Sequence, residues 1–194
     1  MGDYLHRPVL LEEAVEALDI RSDGTYLDGT FGRGGHSAEI LKRLSPKGCL
    51  LALDRDPEAV AEGQRKLGGD PRFAIVHGEF ADMERYVREW GVEEGLDGIL
   101  LDLGVSSPQL DDPVRGFSFM GDGPLDMRMN PTQGVSAKEW LAEAPERELT
   151  RVFREFGEER HARRIARSIV LTRQEQRLET TAQLARLIEE TIGP

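Results

Sequence analysis

Short apolar runs alternate with amphipathic stretches through the first hundred residues of the chain. The apolar runs at residues 25–28, 49–54, 72–77 and 98–103 have the length of buried strands. Helical patterns lie between them at residues 36–44, 57–67 and 82–90, and Asp56 with Pro57 is a typical helix start. Strands and helices that alternate in this way predict an α/β fold, a doubly wound, Rossmann-like parallel sheet.

This alternation stops at the end of the fourth run. Residues 104–134 are rich in Gly, Pro, Asp and Met and are too long for an ordinary connection. Helical patterns follow, opened by a capping box at Ser136 and Glu139 and by Pro145, and continue at residues 158–172 and 181–191. We therefore predict an α/β domain over residues 1–106, and a loop with a helical insertion over residues 107–194.

Charge is unevenly distributed along the chain. The formal net charge of −11 argues against broad attraction to nucleic acid. Residues 160–177, however, hold six arginines and the single acid Glu175. Four of these arginines follow helical spacing on one face: Arg160, Arg163, Arg164 and Arg167. They form either a phosphate-contacting surface or a solvated stripe paired with Glu158 and Glu159.

The cysteine content and the amino-terminal sequence indicate in which cellular compartment the protein is expected. Cys49 is the single cysteine, so a disulfide framework and a cysteine-rich zinc site are excluded. The first 18 residues contain no long apolar run, from which we expect neither a signal peptide nor a membrane span. A cytoplasmic location fits these features best.

A metal site is not expected. The histidines His6, His77 and His161 are scattered without ligand spacing. Four acids in the long loop could hold magnesium, but acids are also common turn formers: Asp111, Asp112, Asp122 and Asp126.

A glycine cluster, DGTFGRGGHS, occupies residues 28–37 directly after the first predicted strand. It is either a structural turn or a loop where the backbone approaches a nucleotide-like ligand before a helix start. Asp54 ends the second strand, where an acid often binds ribose hydroxyls, and Asp102 ends the fourth. Phe80, after the third strand, could form an apolar wall for an adenine. Ser37 replaces the third glycine of a GxGxxG motif, and this substitution argues against a nicotinamide cofactor.

The long loop contains unusual residues for a polar connection. It reads DLGVSSPQLDDPVRGFSFMGDGPLDMRMN over residues 102–130. Its larger apolar side chains either cover the sheet as core or have a binding role: Phe117, Phe119, Met127 and Met129. A core role does not explain the sequence SSPQ immediately beyond a central strand.

Together these segments resemble the bacterial 16S ribosomal RNA cytosine-N4 methyltransferases, the MraW/RsmH family, which use S-adenosylmethionine. The matching segments cover nearly the whole chain: HRPVLLEEAV, YLDGTFGRGGHS, LALDRDPEA, GILLDLGVSSPQLDDPVRGFSF, DGPLDMRMN, FGEERHARRIARSIV and TTAQLARLI. The resemblance implies a class I methyltransferase sheet, whose partner is 16S ribosomal RNA or the small ribosomal subunit.

The resemblance also implies roles for individual residues. Gly34, Gly35 and His36 would contact the methionine and ribose part of the cofactor. Asp54 would bind the ribose hydroxyls and Phe80 would flank the adenine, while Asp102 and Gln109 would close the pocket.

Methylation of an exocyclic amine requires hydrogen-bond acceptors aimed at that amine. Ser107 and the backbone around Pro108 are the candidates, with Asp102 as a possible second acceptor. The target base must leave its stack to reach such a pocket, and Phe117 or Phe119 could then stack on it.

The chain departs from the family pattern in two places. Gln109 stands where the related Ser-Pro-Pro-aromatic motif of amino-methylating DNA enzymes has its second proline, which puts the usual backbone acceptor in doubt. Family members also continue beyond Pro194 with a segment that returns to the sheet. We therefore expect a fragment without the last strands and with an uncovered sheet edge.

Two other functional classes stay open on the residues alone. One is a nicotinamide oxidoreductase on a similar sheet, against which Ser37 and the SSPQ loop argue. The other is a non-catalytic module that binds RNA or a protein partner and has no cofactor affinity.

Overall fold

Four parallel strands form the sheet of the first unit, in the order β3-β2-β1-β4. The computed structural model describes residues 8–93 and 95–193, so His6 in the first matching segment lies outside the described residues. The chain divides into two compact units, one up to Ser106 and one from Ser107. The strands are β1 (Thr25–Asp28), β2 (Cys49–Asp54), β3 (Phe73–His77) and β4 (Gly98–Leu100). The doubly wound α/β prediction is confirmed.

The helices of the first unit lie on both faces of this sheet. They are α1 (Leu11–Ala17), α2 (Gly35–Arg43), α3 (Pro57–Leu67) and α4 (Met83–Glu89). Alternate residues of β2 point to opposite faces, so Leu50 and Ala52 pack with α1, α2 and α3, while Leu51 and Leu53 pack with α4. Because both faces are covered, β2 is a nearly continuous apolar run, as expected for a central parallel strand.

The fourth strand is shorter than the sequence predicted. It pairs with β1 in a register that ends at Asp28 and Leu100, so residues 101–103 have no strand partner among the described residues. Within that part of the chain β4 pairs with β1 alone, and Ile99, Leu101 and Leu103 are exposed. Asp102 therefore lies in the loop beyond β4, two residues after the strand end. Helix α1 was not predicted from the sequence.

The second unit is helical. Its elements are α5 (Ser107–Asp111), α6 (Ala137–Glu143), α7 (Glu146–Glu155), α8 (Ala162–Glu175) and α9 (Thr181–Ile192). The predicted capping box is present, since the Ser136 hydroxyl accepts from the Glu139 amide and Glu139 accepts from the Ser136 amide. Helix α8 begins later than predicted because Glu158 has a positive φ of 51°, outside the helical region. The short helix α5 was not predicted.

The core of the second unit comes from one face of α8. Ile165, Ala166 and Ile169 are buried there with Leu149 of α7 and Leu141 of α6. The apolar face of α8 is therefore a packing face. Arg173 at the end of α8 donates to the carbonyl oxygens of Leu141 and Ala144, each at 2.8 Å, which satisfies the last carbonyls of α6.

Three of the loop acids have structural roles. The Asp112 carboxylate accepts from the Val114 amide, Asp122 accepts from the Ala182 amide, and Asp126 pairs with Arg128 at 2.6 Å. No group of three or more potential metal ligands occurs in residues 8–93 and 95–193. None of the helices described there combines the length and apolar character that crossing a membrane requires.

Candidate functional site: the carboxyl edge of the sheet

Backbone hydrogen bonds gather the loops that follow all four strands at the carboxyl edge of the sheet. The Gly29 amide donates to the Leu100 carbonyl at 2.9 Å, joining the ends of β1 and β4. The Phe31 amide donates to the Leu53 carbonyl, and the Gly78 amide donates to the Asp54 carbonyl. This edge is where doubly wound sheets bind their ligands. The glycine loop is thereby fixed beside the ends of its neighbouring strands.

Asp54 holds the glycine turn in place. Its carboxylate accepts from the Gly32 amide at 2.7 Å and from the Asp56 amide at 2.8 Å. Burial raises the pKa of Asp54, and the hydrogen bonds from the Asp56 and Gly32 amides oppose that shift. A third amide, that of Arg55, also interacts with this carboxylate and lowers its pKa. Because a carboxylate has about four lone-pair positions, about one acceptor position is still open to a ligand hydroxyl.

Asp28 is a fully buried acid at the end of β1. It accepts from the Ser37 hydroxyl at 2.6 Å and from the Thr30 amide at 3.1 Å, so it joins the strand end to the start of α2. Burial raises the pKa of Asp28, while the hydrogen bonds from Ser37 and Thr30 lower it. No local sequence pattern identifies a partner for Asp28. Its partnership with Ser37 explains why a serine occupies the position of the third glycine.

His36 is the buried polar residue whose bonding is incomplete. It is 6% exposed, and its Nε2 has no hydrogen-bond partner among the described residues. Its Nδ1 lies 4.0 Å from Oδ2 of Asp102. The Asp102 amide in turn donates to the Thr30 hydroxyl oxygen at 2.7 Å, which ties the β4 loop to the glycine loop. Thr30 was missed from the sequence because a lone threonine in a loop carries no distinguishing pattern.

Packing within the protein, as well as a candidate binding role, explains why glycines occupy this loop. Gly34 has a φ of 79°, and a Cβ there would overlap the ring of Phe31, which is buried in the core. A Cβ at Gly35 would overlap Pro8. At Gly32, by contrast, the nearest atom to an added Cβ is 3.9 Å away. Protein packing therefore excludes side chains at Gly34 and Gly35, whereas a side chain at Gly32 would meet open space.

Phe80 lies beside the same loop. It begins a short 3-10 turn after β3 and is 39% exposed. A Cβ built at Gly29 would be 3.2 Å from the Phe80 Cβ, so the two residues are neighbours. Phe80 thus presents part of its ring at the carboxyl edge, consistent with an apolar wall.

The remaining predicted site residues belong to the second unit. Ser107 begins α5, and Gln109 is buried within it. The Pro108 carbonyl accepts from the Asp112 amide at 3.1 Å, so one lone pair of this expected backbone acceptor is already used. Phe117 is half-buried, whereas Phe119 is 76% exposed and is not core. Met127 is 46% exposed and Met129 is half-buried.

The four arginines of the predicted face differ in their bonding. All are exposed; Arg160 precedes α8, and the other three lie on the helix. Arg164 donates to the Thr191 carbonyl at 2.5 Å and so joins α8 to α9. In the described part of the chain no ion pair joins Arg160, Arg163 or Arg167 to Glu158 or Glu159, so the paired stripe is not what forms.

The sheet order and the glycine turn between β1 and α2 define the class of protein. The order β3-β2-β1-β4, with acids at the ends of β1 and β2, is that of a Rossmann-like α/β domain. Residues 3–194 match the sequence profile of the MraW methylase family. The chain belongs to that family.

Two curated relatives share most of this sequence. A protein named ribosomal RNA small subunit methyltransferase H from Thioalkalivibrio sulfidiphilus is 63% identical over 187 residues, covering 96% of this chain and 60% of its own length. Its namesake from Chromohalobacter salexigens is 59% identical over 188 residues, covering 97% and 56% respectively. This chain therefore spans less than two thirds of the length of these relatives.

One solved structure shows a distant likeness. A chain from Clostridium thermocellum superposes with a TM-score of 0.45 and 18% identity, covering 53% of this chain and 55% of its own length. A similarity at this level bears on neither the fold nor the function.

Proposed function

We propose that this protein is an S-adenosylmethionine-dependent methyltransferase that modifies the exocyclic N4 amine of a cytosine in 16S ribosomal RNA. The observation that carries the proposal is the buried, unpartnered Nε2 of His36 at the carboxyl edge of a Rossmann-like sheet. A buried polar atom without a partner costs about 1–3 kcal/mol, and a ligand that bonds to it recovers this cost. Membership of the MraW methylase family supports a methyl donor as that ligand.

The residues at the edge fit the parts of this cofactor. Asp54 has an open acceptor position for a ribose hydroxyl, since the amides of Gly32, Asp56 and Arg55 use about three of its four. Phe80 offers a partly exposed ring to the adenine, and the open space at Gly32 admits a ligand close to the backbone. Gly34, Gly35 and His36 would border the methionine and ribose part, with Asp102 and Gln109 completing the binding residues.

S-adenosylmethionine supplies an electrophilic methyl group on a sulfonium. The protein must therefore place the amine in line with that methyl, and orientation of this kind contributes about 7–11 kcal/mol. Ser107 and Asp102 are the proposed acceptors for the amine hydrogens, because a cytosine amine becomes a better nucleophile as its lone pair leaves the ring. Phe117 or Phe119 would stack on the unstacked base.

The proposed partner is 16S ribosomal RNA or the small ribosomal subunit. The names of the two relatives support it. The three arginines that are free of ion pairs to Glu158 and Glu159 would contact phosphates, which confines attraction to one surface of an acidic chain with net charge −11.

Ligand binding distinguishes this proposal from the two alternatives. We expect S-adenosylhomocysteine to bind in calorimetry and NADH not to bind. Transfer of labelled methyl to small subunits that lack the modification, followed by nucleoside mapping, then tests the reaction. Binding of NADH alone would favour the oxidoreductase, and RNA binding with no affinity for either cofactor would favour a non-catalytic module.

A further inference from the structure

A cleft of about 530 Å³ opens in the second unit, and none of its lining residues is among those assigned to the cofactor. It lies between the end of α5 and the loop that follows. Its lining includes Leu110, Asp111, Phe117, Ser118, Phe119 and Met120. The cleft therefore combines two aromatic rings with one carboxylate.

The apolar side chains of this cleft are unusually exposed. Phe119 is 76% exposed and Met120 is 88% exposed, although both are large apolar residues. Contiguous exposed apolar surface is a feature of interaction sites. An aromatic ring with a free face can stack on an unpaired nucleobase, as single-stranded RNA sites commonly do.

Asp111 is the acid of this segment without a structural role. It is exposed, and it makes no hydrogen bond or ion pair within residues 8–93 and 95–193. The adjacent Asp112, by contrast, caps the Val114 amide. Asp111 lies four residues after Ser107 on α5, a spacing that places both side chains on one helical face.

We propose that this cleft binds one unstacked cytosine of the RNA, with Phe119 stacked on the ring and Asp111 accepting a hydrogen bond from the exocyclic amine. The inference rests on the proposed function in taking RNA as the substrate, and it adds the residue that distinguishes cytosine. An ionised carboxylate only accepts, so it bonds to the cytosine amine and opposes the carbonyl that uracil carries at the same position. Ser107, on the same face of α5, can accept from the same amine.

Binding of short fluorescent oligoribonucleotides tests this inference on the 194-residue chain. The probes are oligocytidylate and oligouridylate of equal length, compared by fluorescence anisotropy at one salt concentration. We expect the cytidine probe to bind at least about fivefold more tightly than the uridine probe. This factor is the lower end of the discrimination that one side chain gives by hydrogen bonding to a base edge. Asp111→Asn should remove this preference, because an amide both donates and accepts. Phe119→Ala should weaken both probes by about fivefold or more through lost stacking.

Two control variants match these changes. Val114→Ala removes an apolar side chain that is 68% exposed and does not line the cleft, and Glu143→Gln neutralises an exposed acid on α6. Neither should alter the preference. Equal affinity for the two probes, no binding of either, or a preference that survives Asp111→Asn would each overturn the inference. S-adenosylhomocysteine binding and methyl transfer by the unmodified chain report on the proposed function separately.

Discussion

The Asp54 carboxylate accepts a hydrogen bond of 2.7 Å from the Gly32 amide, across the ends of two neighbouring strands. Its other oxygen accepts from the Asp56 amide at 2.8 Å. One acid thus fixes the glycine turn, begins the connection to α3 and keeps an acceptor position for a ligand. Structural and binding roles therefore coincide at this residue, and experiments on it must measure both.

Replacement of Asp54 by asparagine should weaken S-adenosylhomocysteine binding by at least about tenfold. The amide nitrogen of the new side chain would face a backbone N–H donor, so the variant should also lose about 1–3 kcal/mol of stability. Calorimetry measures the affinity and thermal unfolding measures the stability.

Asp97→Asn is the matched control. Asp97 accepts from the Thr25 amide at 2.8 Å and pairs with Arg21, next to the amino ends of β1 and β4. This variant should lose stability in the same way and keep its affinity. Normal affinity in Asp54→Asn would remove Asp54 from the cofactor site.

Gly34→Val should destabilise the fold in addition to weakening cofactor binding. On sequence grounds the expectation would be lost binding with the fold largely intact. The structure corrects this, because the new side chain would overlap Phe31 and valine is strained at a φ of 79°. Thermal unfolding should show a lower midpoint than that of Gly69→Ala, where no atom lies within 4 Å of the added Cβ. An unchanged midpoint would contradict the packing explanation.

Gly32→Ala separates the two roles of the glycine turn. Gly32 has a φ of 56° and open space around its Cβ position, so alanine there costs about 1–2 kcal/mol of backbone strain without a clash. We expect a folded variant with reduced affinity for S-adenosylhomocysteine in calorimetry. Full affinity in a folded Gly32→Ala variant would mean that no ligand approaches this turn.

Asp28 should make the protein less stable as the pH rises above the ordinary carboxyl range. Its pKa is raised above the ordinary value of 3.8 by burial, so the folded state holds the proton more tightly than the unfolded state. The stability that this tighter proton binding adds to the folded state is fully present below pH 3.8, and it is lost as the pH rises through the raised pKa of Asp28.

Asp28→Asn should remove this loss, because an asparagine can accept from the Thr30 amide and donate to the Ser37 hydroxyl. Urea unfolding of both proteins between pH 4 and pH 8 should show the variant gaining stability relative to the unmodified chain as pH rises. Glu62 should give a pH dependence of stability with the opposite sign, because hydrogen bonds from Arg65 and Lys66 lower its pKa to about 2. Its small, solvent-screened contribution is present above its ordinary pKa and is lost as the pH falls. If the free energies of unfolding of Asp28→Asn and of the unmodified chain differ by the same amount at every pH, the pKa of Asp28 is not raised.

Replacing Arg163 and Arg167 together by alanine should weaken binding of the small ribosomal subunit and leave cofactor affinity unchanged. Each lost phosphate contact lowers the slope of log affinity against log salt by about 0.7–0.9. Arg173→Ala is the control, because Arg173 bonds to the carbonyls that end α6 and should affect stability instead. An unaltered salt slope with a lower unfolding midpoint would make the arginine face structural.

Local sequence patterns were sufficient to predict the layers of the first unit and most helix starts of the second. Strand β2 and helix α3 have the predicted bounds because continuous apolar runs and an Asp-Pro start depend on local chemistry. The capping box at Ser136 is equally local. The resemblance to the MraW family likewise rests on residue order alone, and the match of residues 3–194 to the family profile confirms it.

The pairing of distant residues depends on the folded arrangement of the chain. Asp28 with Ser37, Asp54 with Gly32, and Thr30 with Asp102 are brought together by strand register, which no single segment encodes. The end of β4 at Leu100 is set by the last pairing with β1, although the apolar sequence continues. Gly34 faces Phe31, which no local pattern reveals because the contact depends on how the loop folds onto the core. Local chemistry therefore specified the elements, and packing between distant segments decided their partners.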